Sequence, residues 1–310
     1  MMHILRTGLV VALLTVSSVA SADQNCERVY LTQDRFELGF GENLAEFRVD
    51  SLVLEHPHFI FDFDLLAGTV QVCQDATNQP LEIIGNEVFA GVNPELATRI
   101  DNLELNFIQE LNPFGQTDLF DNCLVLKDAD CDSPSSCSAQ AEDILLQVSA
   151  QTRRSGACVE TLDGLFEGTW PDGESSEPNL PESGSAGCMV SEPVDATFTL
   201  GTDDFDLDLV LNDVMVAGRF GQEPPTALID GVMIGFLTQE QADDTEITLE
   251  TDVGEVTLNL GHDILPSDES DDTVPGCEPR QHCAGPNARA VHNGECGWWF
   301  VFNINAERIR

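Results

Sequence analysis

The residues best suited to chemistry lie in one run, His56-Pro57-His58-Phe59-Ile60-Phe61-Asp62-Phe63-Asp64. On an extended strand His56, His58, Asp62 and Asp64 share one face, and the phenylalanines take the other. Two imidazoles at i and i+2 can address one metal ion, and the Asp62 carboxylate would complete a zinc or transition-metal set. Such a centre would make the chain a secreted metal-assisted hydrolase. The bland account of the same residues is a solvated strand face over an apolar one, and it is the stronger of the two.

Other constellations are weaker. Asp206 and Asp208 are the acidic counterparts of His56 and His58 when the chain is compared with itself, so polarity is kept while ligand type changes. Acidic loops around 203–208, 243–244 and 267–272 offer hard oxygen ligands for calcium, although none follows EF-hand spacing. Cys277, His282, Cys283, His292 and Cys296 could be drawn as a zinc set, but their spacing fits no common zinc module. Trp298-Trp299 would give a sugar-stacking platform if one ring faced outward; the plainer reading places a tryptophan in the core beside a disulfide. No Gly-x-Ser-x-Gly elbow occurs, and Gly39-Phe40-Gly41 lacks the third glycine of a nucleotide fingerprint.

The elements that must position these residues read as strands. Leu207, Leu209 and Leu211 alternate with Asp206, Asp208 and Val210, and Phe300, Phe302, Ile304 and Ala306 alternate with polar or small residues. Residues 247–251 and 256–260 repeat the pattern around a turn at 252–254. One short helix is expected at Asn93-Pro94-Glu95, with Asn93 as its cap, and another at Thr238-Gln239-Glu240-Gln241, which has the capping-box form.

Self-comparison points to a duplication. Cys26 and Cys188 are each followed, at one common spacing, by Phe36-Glu37-Leu38-Gly39 and Phe198-Thr199-Leu200-Gly201. Leu66-Ala67-Gly68 matches Val216-Ala217-Gly218, and Cys131 with Cys137 matches Cys277 with Cys283. Val148-Ser149-Ala150-Gln151 matches Ile304-Asn305-Ala306-Glu307. The expected fold is therefore mostly β: two homologous antiparallel β-sandwich or open-barrel-like domains in tandem, each with one short helix. The first would span 23–158 and the second 188–310, joined by an acidic Gly/Pro/Ser-rich linker at 159–187.

Residues 1–22 read as a signal peptide, with Arg6 before an apolar run and Ala20-Ser21-Ala22 at the cleavage position. No later stretch is apolar enough for a transmembrane segment. In a secreted, periplasmic or cell-surface protein the ten cysteines are disulfide partners rather than metal ligands. Cys26, Cys73, Cys123, Cys131, Cys137 and Cys158 fall in the first unit and Cys188, Cys277, Cys283 and Cys296 in the second, so each unit could close its own bridges. The absence of any Asn-x-Ser/Thr acceptor points to a bacterial source.

Charge narrows the partners. The 310 residues carry 55 Asp and Glu against 13 Lys and Arg, a formal charge of -42. Such a chain repels phosphate backbones, which excludes nucleic acid. Lys127 is the only lysine, so lysine-based chemistry has almost no candidate. These features point to an exported, acidic binding or structural protein rather than an enzyme, with an extracellular protein or glycan as ligand. Self-repulsion on this scale is relieved by counterions. The melting temperature is expected to rise from low to high salt; a flat profile would contradict that reading.

Overall fold

The computed structural model describes residues 44–65, 70–83, 86–112, 122–139, 144–153, 158–159, 187–201, 206–221, 226–251, 254–267, 277, 283, 285 and 289–309. The expected signal segment, the repeat anchors at Cys26 and Phe36, His282 and most of the expected linker lie outside them.

Alternating apolar residues commit most of the chain to strands, and the longest of these share one antiparallel sheet. Its strands are β1 (Ala45–His56), β6 (Phe107–Asn112), β7 (Asn122–Asp128), β10 (Ile144–Arg153), β11 (Cys188–Ser191), β13 (Asp206–Phe220), β14 (Ala227–Thr238) and β18 (Glu295–Arg308). They neighbour one another in chain order, and β1 pairs back onto β18. The sheet is thus a closed, eight-stranded, barrel-like meander. β12 (Val194–Gly201) pairs beside β13, and β17 (Ala290–His292) extends β18.

Between β1 and β6 lie two hairpins and a helix. The hairpins are β2 (Ile60–Leu65) with β3 (Val70–Asp75) and β4 (Leu81–Ile83) with β5 (Asn86–Phe89); the helix is α1 (Val92–Asp101). β8 (Asp130–Ser133) and β9 (Ser136–Ser138) form a small hairpin closed by Cys131–Cys137. After β14 come α2 (Gln239–Asp244), the hairpin β15 (Glu246–Thr251) with β16 (Gly254–Asn259), and a π-helical turn at Leu260–Ile264.

The barrel interior is packed with side chains. Leu52 and Leu54 of β1 face Ile304 and Phe302 of β18, and Trp298, Phe300 and Phe47 are among the largest fully buried residues. Backbones approach closely where side chains would not fit: a Cβ on Gly235 would lie 2.9 Å from the Cβ of Leu211. Gln109 is a polar exception on this face, 2 % exposed with its Oε1 unpartnered among the described residues. The outer face carries Glu46, Glu55, Glu110, Lys127, Asn305 and Glu307. Another part of the outer face is apolar, where Ala217, Val232, Ile234 and Val301 form a second buried cluster with Val159. Among the described residues, no helix is long and apolar enough to cross a membrane.

One sheet draws on both expected units. Four barrel strands come from the expected first unit and four from the second, and the sheet closes across both. The division of the cysteines is corrected. Cys73–Cys283 and Cys158–Cys188 join the two units, while Cys131–Cys137 and Cys277–Cys296 are local. Cys123 is also bridged, to a partner outside the described residues. The matched pairs Cys131/Cys137 and Cys277/Cys283 are therefore bridged differently, whereas Val148–Gln151 and Ile304–Glu307 both lie on the last strand of their four.

Both expected helices form. Thr238 caps α2 with the reciprocal Thr238–Gln241 capping box read from the sequence. The first helix differs. It begins at Val92 after Gly91, whose φ of 105° suits glycine, and Asn93 is not its cap. β6 pairs with β1 only along 45–48, which leaves the Leu54 backbone without a strand on that side. Asn93 fills the place: its Oδ1 accepts from Leu54 N–H at 2.7 Å, and its Nδ2 donates to Leu54 O at 2.9 Å. Arg48 holds the other end of α1, donating to Ile100 O at 2.9 Å, a last-turn carbonyl that also accepts from Leu103 N–H at 3.2 Å. Asn93→Ala removes two half-buried hydrogen bonds to the Leu54 backbone and is expected to cost ~1–3 kcal/mol. Denaturant melts with hydrogen exchange at Leu54 check this; an unchanged midpoint and unchanged protection would contradict it.

Candidate functional site

The histidine run is the first place to look, and its environment differs from the expectation. His56 ends β1 and His58 follows it in the connection to β2; both are buried, at 1 % and 2 % exposure. The wet-face reading is therefore corrected. Partners invisible in the local sequence allow the burial. His58 Nδ1 lies 2.6 Å from Asp75 Oδ2 at the end of β3. Asp75 Oδ1 accepts from Thr77 N–H at 2.9 Å, and Thr77 Oγ1 accepts from Phe59 N–H at 2.7 Å. Phe59 and Phe61 are buried too, so the segment is covered on both faces. The His58–Asp75 pair sits where it ties strand ends together, not where a substrate would meet it.

The other expected ligands do not join these histidines in any described contact. Asp62 pairs with Cys73 through the β2–β3 backbone, and Asp206 opens β13 opposite Gly201. Their side chains lie outside the description. Asp208 is exposed and accepts from Thr199 Oγ1 at 2.6 Å. Among the described residues, no group of three or more His, Cys, Asp or Glu side chains is arranged to hold a metal ion. The paper zinc set is resolved by chemistry: Cys277, Cys283 and Cys296 are all in disulfides.

A second cluster, on the outer face, is built from the Trp298-Trp299 pair. Alternation on β18 sends the two rings to opposite sides of the sheet. Trp298 points inward, fully buried, with Nε1 donating to Pro266 O at 2.9 Å. Trp299 is half-buried on the outside and is the cross-strand partner of Phe236. Gly297 gives the Phe236 ring its room, since a Cβ there would lie 2.8 Å from Cζ. His292 completes the group. Its ring centroid is 4.7 Å from that of Trp299 and 5.1 Å from that of Phe236, and the Trp299 and Phe236 centroids are 5.2 Å apart.

Two irregular backbone positions bring polar groups to this aromatic triangle. Asn293 (φ 52°) and Gly294 (φ 89°) make the two-residue turn between β17 and β18, a geometry that favours Asn-Gly. Asp213 (φ 51°) sits where the β13–β14 register shifts, with its N–H donating to Asp195 Oδ1 at 3.1 Å. His292 Nε2 lies 2.6 Å from Asp213 Oδ2, and Asn293 Nδ2 donates to the same oxygen at 3.1 Å. The carboxylate thereby fixes the imidazole and the amide in one orientation. Asp213 and Asn293 were not singled out in the sequence. The signals were present: the Asn-Gly dipeptide, and the phase change at Asn212-Asp213 between the Leu207–Leu211 and Val214–Val216 alternations.

No protein-family model matches the chain, and comparisons with curated proteins and with solved structures also give no match. Function must be argued from the chain itself.

His56 makes a testable contribution. Burial, and secondarily the neighbouring His58, push its imidazole down from 6.5 to about 3. The unfolded chain then takes up a proton that the fold refuses. Stability should fall as pH drops from 6.5 toward 3, by about 1.4 kcal/mol per pH unit from this group. Urea midpoints should lose part of their pH dependence in His56→Leu; an identical slope in that variant would contradict the assignment.

Proposed function

We propose that the chain is an exported, acidic, disulfide-stabilised binding protein of a bacterial cell exterior, non-enzymatic, that presents its ligand contacts on the outside of a filled barrel. The observation carrying this reading is the contrast between the two faces. The interior is occupied by Trp298, Phe300, Phe302 and their neighbours, whereas the outer cluster at Trp299 keeps polar groups at the surface. Four disulfides among the described residues support an oxidising compartment, and thus the signal-peptide reading of residues 1–22. The four-plus-four division of barrel strands, with matched segments on β10 and β18, supports descent by duplication. Calcium bound by the acidic loops would offset the charge and belongs to the same proposal.

The hydrolase reading needs an open metal position reachable by substrate. Burial of His56 and His58, with His58 engaged by Asp75, weighs against it. Elemental analysis of protein purified without affinity metals decides between the two. The binding protein is expected to carry no stoichiometric transition metal. Stoichiometric zinc that disappears in His56→Ala, His58→Ala would overturn the proposal.

A further inference from the structure

We infer that the outer cluster of Trp299, His292, Asn293 and Asp213 is a binding site for neutral pyranose saccharides. The inference rests on the binding-protein reading and names its ligand class.

A pyranose ring presents an apolar C–H face and a rim of hydroxyls. It is bound by an aromatic side chain beside planar polar groups held at fixed angles. The cluster supplies both. Trp299 is half-buried against Phe236 and His292, which lock its ring in place. Around it, Trp299 Nε1, His292 Nδ1, Asp213 Oδ1 and Asn293 Oδ1 make no hydrogen bond among the described residues, and none is buried without a partner. Donor and acceptor capacity is therefore open at the surface, while Asp213 Oδ2 is spent on holding the fork together.

The fork is also preorganised. Asn293 occupies a turn position that suits Asn, and Asp213 is held at the register shift by its N–H to Asp195 Oδ1, while Asn293 Nδ2 bonds Asp213 Oδ2. Preorganised polar groups lose little freedom on meeting hydroxyls, which is where affinity for a small, well-hydrated ligand is otherwise lost. Charge selects among glycans. A chain of charge -42, with a carboxylate in the site itself, disfavours uronic-acid and sulfated polymers. Neutral saccharides escape that repulsion, and their binding should depend little on salt.

The test uses the whole exported chain, titrated with short fragments of neutral glucan, mannan and chitin and with polyuronate and sulfated fragments as the charged comparison. Calorimetry and tryptophan emission give the readout. At least one neutral fragment should bind saturably and shift the emission. Trp299→Ala should weaken binding about tenfold or more. Asn293→Gly keeps a residue suited to the positive-φ turn, so it should weaken binding several-fold with an unchanged melt. Failure of every neutral fragment to bind, or wild-type affinity in both variants, overturns the inference. Binding of the charged fragments alone overturns it too but leaves the binding-protein reading standing. Cleavage of a bound neutral fragment does the reverse, keeping the ligand class and removing the non-enzymatic reading.

Discussion

The pairing of β1 with β18 is the contact on which the other features depend. A meander that stopped at β1 on one side and β18 on the other would expose two rows of backbone donors and acceptors. Their antiparallel union, from Phe47–Arg308 to His56–Val301, satisfies both rows and seals the interior. It places Leu52 and Leu54 against Ile304 and Phe302, and it fixes which face of β18 is inside. Trp298 and Trp299 acquire their opposite fates from that choice. Where β1 outruns β6, Asn93 replaces the missing strand, and Arg48 fastens the same helix at its far end.

Closure also explains how polar side chains are handled. Inside, space is so limited that Gly235 is required where a backbone meets Leu211. The histidines at the end of β1 fall under cover, and His58 is accommodated because Asp75 reaches it from the end of β3, its other oxygen accepting from Thr77 N–H. The Cys73–Cys283 bridge, two residues from Asp75, holds that region to a segment far along the chain. On the outside, irregular backbone at Asp213 and Asn293 concentrates polar groups around Trp299. The fold therefore buries one carboxylate–histidine pair beside the end of β1 and presents another on the outer face of the sheet.

Local features were legible in the sequence. The Thr238–Gln241 box caps α2 because both partners lie within one turn, and the leucines at 207, 209 and 211 face the core because a strand's period is fixed. Asn93 was read by its nearest use, as a helix cap, while its real partner is the Leu54 backbone on another element. The histidine face was read as wet because the residues that bury it belong to β3 and the core. Closure of one sheet across both expected units was hidden for a related reason: β1 and β18 lie at opposite ends of the chain, and nothing local marks them as partners. Of the candidate site, Trp299 was visible as one of two rings, but its fork depended on a bulge and a turn whose meeting is tertiary.

The central claim is that both halves of the chain build one barrel. Its most direct test is to produce residues 23–158 and 188–310 separately and to follow their unfolding alone and after mixing. The account predicts that neither half unfolds cooperatively by itself, since each leaves β1 or β18 without its closing partner. A sharp, independent melting transition in each isolated half would contradict it.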